Sequence, residues 1–129
     1  MEGYVVNLHI HERCNFHCKH CFAHFGSRQT LKVDAWKAIV DRIMIAIPVK
    51  RFNLAGGEPL LYDQLSQLIK YIKGMGVEVS IISNGYLMDE WRLDEYLGKV
   101  SMIGVSIDCL SHEGLINIGR CTVDGKSLE

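Results

Sequence analysis

The segment Arg51-Phe52-Asn53-Leu54-Ala55-Gly56-Gly57-Glu58-Pro59 says most about the fold, because a short strand-like run ends abruptly in a glycine-rich loop. Such a run, bounded by turn residues, predicts a β-strand from Arg51 to Ala55. Three further runs of similar length and composition predict strands at Tyr4 to Ile10, Val77 to Ile82 and Met102 to Ile107. The sequence therefore predicts four strands, each followed by residues suited to turns or to ligand binding.

Amphipathic segments separate the predicted strands. Apolar residues at spacings of three and four predict a helix with one buried face, and in the first segment they are Val33, Trp36, Val40, Ile43, Met44 and Ile47. Pro48 ends this helix. A second apolar stripe runs from Leu61 to Ile72 and stops at Gly74, and Asp89 is expected to cap a third helix that reaches Leu97. The order β-α-β-α-β-α-β predicts an α/β fold with a parallel sheet of alternating βα units.

Each candidate motif lies at or just after the end of a predicted strand. In parallel α/β folds the ligand site lies at the carboxyl ends of the strands, so the four motifs are expected to share one rim. They are Cys14-Asn15-Phe16-His17-Cys18-Lys19-His20-Cys21, Gly56-Gly57-Glu58-Pro59, Ser83-Asn84-Gly85 and Ser106-Ile107-Asp108. Gly56 and Gly57 lack a Cβ atom, which lets the backbone approach a ligand closely. The sequence has no repeat or linker, so one domain is predicted over residues 1–129.

The composition excludes several classes of function. Of the 129 residues, 48% are apolar, which is enough to bury one core. The 14 basic and 15 acidic residues give a net charge of −1, which offers neither a basic footprint for nucleic acid nor a polybasic membrane patch. No apolar run approaches the roughly 20 residues of a membrane span, and a cytoplasmic location is expected. A reducing compartment would keep the clustered cysteines as thiolates, whereas Cys109 and Cys121 are expected to be packing residues.

The spacing C-x3-C-x2-C supplies three thiolates, one fewer than a closed metal site requires. An iron–sulfur cluster with three cysteine ligands leaves one iron free to bind a small molecule. Structural zinc is the alternative, with His17, His20 or His24 as its fourth ligand. The spacing alone does not separate these interpretations. A zinc site, however, explains neither the Gly56-Gly57-Glu58-Pro59 loop nor the Ser83-Asn84-Gly85 loop.

The cysteine row and these two loops together resemble the radical S-adenosylmethionine (SAM) superfamily. From Asn7 to Arg120 the chain is also similar to the viperin-like, SAM-dependent nucleotide dehydratases. The closer similarity rests on Asn7, Arg13-Cys14-Asn15, Cys21-Phe22, Phe52-Asn53, Ser80 to Gly85 and Ile118-Gly119-Arg120. It implies a partial (β/α)6 TIM-barrel-like core with about four strands present. Because the family's barrel has two more strands, the chain is expected to be the N-terminal part of a longer protein.

The resemblance also implies roles for individual residues. Cys14, Cys18 and Cys21 would hold a [4Fe-4S] cluster whose open iron chelates SAM. The residues expected to contact SAM are Phe22, Gly56, Gly57, Glu58, Ser83, Asn84, Ser106 and Arg120. The residues expected to meet the phosphates of a nucleotide are Asn7, Arg51 and Asn53. Viperin has lysine at the position of Arg51, and Ala55 replaces a serine. No catalytic residue is assigned beyond the cluster.

The implied reaction is a radical dehydration. One electron, supplied to the cluster by a donor such as flavodoxin or ferredoxin, cleaves SAM to a 5′-deoxyadenosyl radical. The radical takes the 4′-hydrogen of a ribonucleoside triphosphate such as CTP, and loss of the 3′-hydroxyl gives a 3′-deoxy-3′,4′-didehydro nucleotide for antiviral defence. A maturase acting on a peptide or protein and a structural zinc module are the alternatives. Because the fourth strand would be an open edge, the isolated chain is expected to self-associate and to turn over nucleotide slowly or not at all.

Overall fold

The computed structural model describes residues 2–23 and 29–126 and confirms the predicted α/β fold. Its elements are β1 (Tyr4–His9), α1 (Val33–Ala46), β2 (Val49–Ala55), a 3-10 turn (Pro59–Leu61), α2 (Leu65–Gly74), β3 (Glu78–Ser83), α3 (Glu90–Tyr96), β4 (Met102–Val105) and α4 (His112–Asn117). The four strands form one parallel sheet in the order β1-β2-β3-β4. This sequential order is the order of a barrel-like sheet, in which each βα unit adds the next strand beside the last.

The two faces of the sheet differ in polarity, because side chains alternate along each strand. Leu54 of β2 is aligned with Ile81 of β3, and both are fully buried in the core. The neighbouring row points to the opposite face and consists of Asn7, Asn53 and Ser80, which are aligned across β1, β2 and β3. One face of the sheet therefore belongs to the core, and the other carries a polar row.

Helices α1 and α2 cover the apolar face of the sheet. Their buried side chains include Trp36 and Val40 on α1, and Leu68 and Ile72 on α2. Removing a side chain of this kind from water contributes about 1.5–3 kcal/mol to stability. Truncating the fully buried Leu68 to alanine would cost about 2–5 kcal/mol, because the cavity left behind adds to the lost transfer energy. This core fixes the strands and thereby the loops at their ends.

The predicted helix stops and caps are largely confirmed. Helix α1 ends with a hydrogen bond from the Ile47 N–H to the Ile43 carbonyl, and Pro48 follows, which cannot continue a helix. At the start of α3 the Asp89 carboxylate accepts a 2.8 Å hydrogen bond from the Arg92 N–H, as expected of an N-cap.

Strands β1, β2 and β3 differ from the prediction by one or two residues at their ends, and two boundaries and one helix differ further. The second helix starts at Leu65 rather than Leu61, because residues 59–61 form the 3-10 turn that proline initiates. Strand β4 ends at Val105 rather than Ile107, whose side chain is 69% exposed outside the sheet. Helix α4 was not predicted, although Ser111 caps it by accepting a 3.1 Å hydrogen bond from the Gly114 N–H.

None of the helices in the described ranges is long and apolar enough to cross a membrane.

Candidate functional site

A cavity of about 240 Å³ lies at the carboxyl ends of the strands. With the exception of Glu58, all residues predicted to contact a cluster or SAM line it, namely Cys14, Cys18, Cys21, Phe22, Gly56, Gly57, Ser83, Asn84, Ser106 and Arg120. A larger cleft of about 410 Å³ beside Tyr62 contains none of these residues. The structure thus brings together residues from five separate segments, four at the ends of the strands and one, with Arg120, after α4.

The Gly56-Gly57-Glu58-Pro59 loop supports one side of the cysteine loop, residues 11–23. The backbone N–H groups of Gly57 and Glu58 donate to the carbonyl oxygens of His11 and Arg13, both at 2.8 Å. A Cβ atom on Gly57 would lie 2.1 Å from the Arg13 carbonyl oxygen, so a side chain does not fit there. The sequence predicted that these glycines admit a ligand. In the structure they also admit the backbone of the cysteine loop.

The turn after α4 supports the other side of the cysteine loop. The backbone N–H groups of His17 and Lys19 donate to the carbonyl oxygens of Gly119 and Ile118, at 3.1 and 2.9 Å. Gly119 has a φ of +75°, and a Cβ atom there would lie 2.3 Å from the His17 carbonyl oxygen. The position therefore requires glycine for its backbone angle and for its close neighbour.

The thiols of the cysteine loop receive N–H donors. Cys14 accepts from the Phe16 backbone at 3.4 Å and from the Asn84 side-chain amide at 3.7 Å. Cys21 accepts from the Ala23 backbone at 3.4 Å. Burial raises the pKa of the Cys14 thiol, while the donors from Phe16 and Asn84 oppose that shift. Such donors stabilise the thiolate, which is the form that ligates metals.

The donor set fits a cluster with three cysteine ligands and one open iron. Within residues 2–23 and 29–126, no three His, Cys, Asp or Glu side chains are placed to hold a single metal ion. The His20 Nε2 atom lies 3.7 Å from the Asp108 Oδ2 atom, and His24 lies outside the described residues. The three cysteines are among the described residues without such a placement, so this finding does not favour a cluster over zinc, and the cluster assignment rests on the three-thiol donor set.

Glu58 lies beneath the cavity instead of lining it. Its side chain is fully buried, and its carboxylate accepts from the Ser83 hydroxyl and the Asn84 backbone N–H, both at 2.8 Å. It also accepts from the Leu60 backbone N–H at 3.2 Å. Burial raises the pKa of Glu58, and these hydrogen bonds oppose the shift. Its carboxylate is thus occupied within the protein, and its predicted contact with SAM stays a prediction.

Arg120 is 5% exposed, and its guanidinium is held from three sides. It donates to the Asp108 carboxylate, to the Ser106 carbonyl and, at 3.4 Å, to the Asn84 carbonyl. Burial raises the pKa of the Cys18 thiol, and the positive charge of Arg120 opposes that shift. Sequence reasoning placed Asp108 on the rim but gave it no role. Asp108 and Arg120 are 12 residues apart, on either side of α4, a helix that the sequence analysis did not predict.

The remaining predicted SAM contacts differ in exposure. Phe22 is 78% exposed, and its ring meets the His9 ring edge-to-face with 5.8 Å between centroids. Ser106 donates a backbone hydrogen bond of 3.0 Å to the Ser83 carbonyl, which continues the pairing of β3 and β4 into the cavity wall. Ser83 itself is buried. Of these three side chains, that of Phe22 is the most exposed.

The predicted nucleotide contacts lie outside the cavity, on the polar face of the sheet. The Asn53 amide donates a 2.8 Å hydrogen bond to Asn7 and accepts one from the Ser80 hydroxyl. The Arg51 Nη1 atom lies 3.9 Å from the Glu78 Oε2 atom, on the neighbouring strand. Ser80 was named only as part of the family similarity and Glu78 was not named, and the parallel register of β2 and β3 places them beside Asn53 and Arg51.

The chain belongs to the radical SAM superfamily, because the family model matches residues 8–125. The matched range includes Cys14, Cys18 and Cys21, and also the two segments that support the cysteine loop, the Gly56-Gly57-Glu58-Pro59 loop and the turn after α4. It confirms the resemblance that the sequence motifs carry.

Within this superfamily, the chain is similar to proteins that share one name. The chain is 39% identical over 121 residues to an S-adenosylmethionine-dependent nucleotide dehydratase of Selenomonas ruminantium, covering 92% of this chain and 44% of that protein. It is 40% identical over 117 residues to the enzyme of the same name from Thermoplasmatales archaeon (strain ISO4-H5), covering 89% of this chain and 41% of that protein. The chain thus spans less than half the length of these relatives.

A solved structure with the same fold is that of Streptococcus suis SuiB bound to precursor peptide SuiA. The TM-score is 0.74 and the sequence identity is 17%, over 88% of this chain and 26% of that one. This likeness confirms the partial barrel-like core.

Proposed function

We propose that this chain forms the cluster- and SAM-binding part of a radical SAM enzyme that dehydrates a ribonucleoside triphosphate such as CTP, in antiviral defence. The observation that carries the proposal is the convergence of three thiols, the paired glycines and Arg120 on one cavity at the strand ends. When bound, a [4Fe-4S] cluster and SAM would supply a 5′-deoxyadenosyl radical. An electron donor such as flavodoxin or ferredoxin belongs to the same proposal.

The residues of the cavity would act by holding and orienting these groups. Cys14, Cys18 and Cys21 supply three ligands and leave one iron for the amino-acid end of SAM. Arg120 would attract the carboxylate of SAM, since a guanidinium forms strong charge-assisted hydrogen bonds with carboxylates. Asp108 and two backbone carbonyls already hold that guanidinium. Its position is therefore fixed in advance, which lowers the cost of ordering it when SAM binds.

The polar face of the sheet supports a nucleotide as the substrate. His9 and Ala55 line the cavity, and Asn7 and Asn53 lie two residues earlier on the same face of the same strands. Arg51 lies two residues earlier again, so a polar and basic track leads from the cavity along β2. The curated relatives named above, at 39% and 40% identity, are nucleotide dehydratases. These features favour a nucleotide over a peptide substrate.

The cluster part of the proposal is tested by iron content. After anaerobic reconstitution with iron and sulfide, the wild type should hold about four iron atoms per chain, as a [4Fe-4S] cluster requires. Cys18→Ala should lose the cluster, and Cys109→Ala, at a cysteine outside the cavity, should keep it. SAM should change the electron paramagnetic resonance spectrum of the reduced wild type. Loss of iron in Cys109→Ala alone would contradict the ligand assignment.

The substrate part is tested by CTP binding in equilibrium dialysis. Arg51→Ala removes a cation from the polar face and should weaken binding. Lys70→Ala removes an equal charge from the exposed surface of α2, which covers the opposite face of the sheet, and should have little effect. Equal losses in both variants, or absence of CTP binding by the wild type, would contradict a nucleotide site on this face.

A further inference from the structure

We infer that Asn84 tunes the reduction potential of the cluster by donating a side-chain hydrogen bond to the sulfur of Cys14. The inference rests on the proposed function, in which Cys14 is a cluster ligand. It differs from the SAM contact that the family resemblance implies for Asn84, because it concerns the protein's own thiolate.

The Asn84 amide group has two hydrogens and two acceptors within reach. Its Nδ2 atom lies 2.8 Å from the Asn15 Oδ1 atom and 3.7 Å from the Cys14 Sγ atom. The longer distance is appropriate for sulfur, whose radius exceeds that of oxygen. Because one NH₂ group carries two donors, both hydrogen bonds can form at the same time.

The orientation of this amide is fixed by its other partners. The Asn84 Oδ1 atom accepts from the Tyr86 backbone N–H at 3.0 Å. The Asn84 backbone N–H donates to Glu58, and its carbonyl accepts from Arg120. A flipped amide would place Oδ1 against the oxygen of Asn15 and the sulfur of Cys14, which are both acceptors. Asn84 is 8% exposed, so water cannot readily take over these contacts.

Asn84 is also the one donor to a ligand sulfur, among those found in the described part of the chain, that a substitution can remove. The other two are the backbone N–H groups of Phe16 and Ala23, which any side-chain replacement leaves in place. A change at Asn84 therefore alters the hydrogen bonding of Cys14 and leaves the backbone hydrogen bond to Cys21 in place.

The expected change in reduction potential follows from the negative charge that reduction adds. Reduction adds one electron to the cluster, and the additional negative charge is shared with the thiolate sulfurs. Hydrogen-bond donors to those sulfurs stabilise the reduced form more than the oxidised form and so raise the potential. Without the Asn84 donor, the equilibrium constant for reduction should fall by about tenfold, which is about 59 mV for a one-electron couple.

The test is a redox titration of the reconstituted chain without SAM, followed by electron paramagnetic resonance. Asn84→Asp keeps the shape and the oxygen that accepts from Tyr86, but it places an oxygen in the position of the donor. Asn84→Ser removes the donor without adding charge, because its side chain is too short to reach Cys14. Gln67→Glu makes the same amide-to-carboxylate change on the exposed surface of α2 and serves as the control.

Both Asn84 variants should show a lower midpoint potential than the wild type, with Asn84→Asp the lower of the two, and Gln67→Glu should match the wild type. Unchanged potentials in both Asn84 variants at full iron content would overturn the inference. It would also be overturned if both variants fold, as judged by circular dichroism, but take up no iron, or if neither folds. Asn84 would then build the loop rather than tune the cluster. Failure of the wild type to take up iron would instead count against the proposed function.

Discussion

Replacing Gly119 by alanine is expected to displace the cysteine loop. Gly119 has a φ of +75°, a conformation that costs a residue with a Cβ atom about 1–2 kcal/mol. The added Cβ would lie 2.3 Å from the His17 carbonyl oxygen and 3.5 Å from the Cys18 Cα atom. The loop must therefore move, which breaks two backbone hydrogen bonds worth about 0.5–1.5 kcal/mol each. The sum is about 2–5 kcal/mol, concentrated beside Cys18.

A matched control variant separates the free-energy cost of the steric clash from the cost of the backbone conformation. Gly76 has a φ of +76°, and a Cβ atom there would meet nothing within 4 Å. Gly76→Ala should thus lose only the conformational term of about 1–2 kcal/mol. Urea unfolding of both variants measures the difference, which should be about 1–3 kcal/mol if the loop is held as described. After anaerobic reconstitution, Gly119→Ala should hold little iron, and Gly76→Ala should match the wild type.

Equal losses of stability and equal iron uptake in the two variants would contradict this prediction. That result would mean that the His17 carbonyl moves aside at no cost, and that the turn after α4 does not support the cysteine loop. Lower iron content in Gly119→Ala with equal unfolding free energies would locate the damage in the loop alone.

Three further predictions concern charge and the open edge of the sheet. Burial raises the pKa of Glu58 above the ordinary value of 4.5, so the folded state binds its proton more tightly than the unfolded state. Stability relative to Glu58→Gln should therefore fall as the pH rises from 4.5 through the folded-state pKa, and a constant difference in urea unfolding would contradict this. Arg120→Ala should weaken SAM binding by about 1.5–3 kcal/mol in calorimetry, whereas Arg92→Ala, at a half-buried residue of α3 outside the cavity, should not, and equal affinities would count against the role of Arg120. Met102 and Val105 are 41% and 46% exposed on edge strand β4, so Val105→Lys should reduce self-association in light scattering, a prediction that fails if the wild type is already monomeric.

The order of strands and helices could be predicted because each carries a periodic pattern that the core enforces. The apolar stripe from Leu61 to Ile72 misplaced the start of α2, since Leu61 is apolar but follows Pro59 in a separate turn. Helix α4 has six residues, which is too short for a periodic signal to stand out. Short elements at the ends of strands depend on capping and on neighbouring loops, which a single-sequence pattern does not contain.

Most of the residues that line the cavity could be predicted for a topological reason. In a parallel sheet the carboxyl ends of the strands meet at one edge, so motifs that follow four strands must lie near one another. The partner of each polar atom was not predictable in the same way. The Glu58 carboxylate bonds to Ser83 and Asn84, which are 25 and 26 residues away, and Arg120 bonds to Asp108. The hydrogen-bond partner of each polar atom depends on burial and strand register, which only the folded chain defines.

These contacts make the loops around the cavity mutually dependent. Glu58 accepts from the Asn84 backbone, Asn84 donates to Cys14 and Asn15, and Arg120 donates to the Asn84 carbonyl. A change at Glu58 can therefore reach the sulfur of Cys14 through a single intervening residue. Substitutions at Glu58, Asn84 and Arg120 share partners, so their effects on iron content should not add. The cysteine row, the Gly56-Gly57-Glu58-Pro59 loop and the Ser83-Asn84-Gly85 loop are separate motifs in the sequence. In the folded chain the hydrogen bonds of Asn84 connect them into one structural unit.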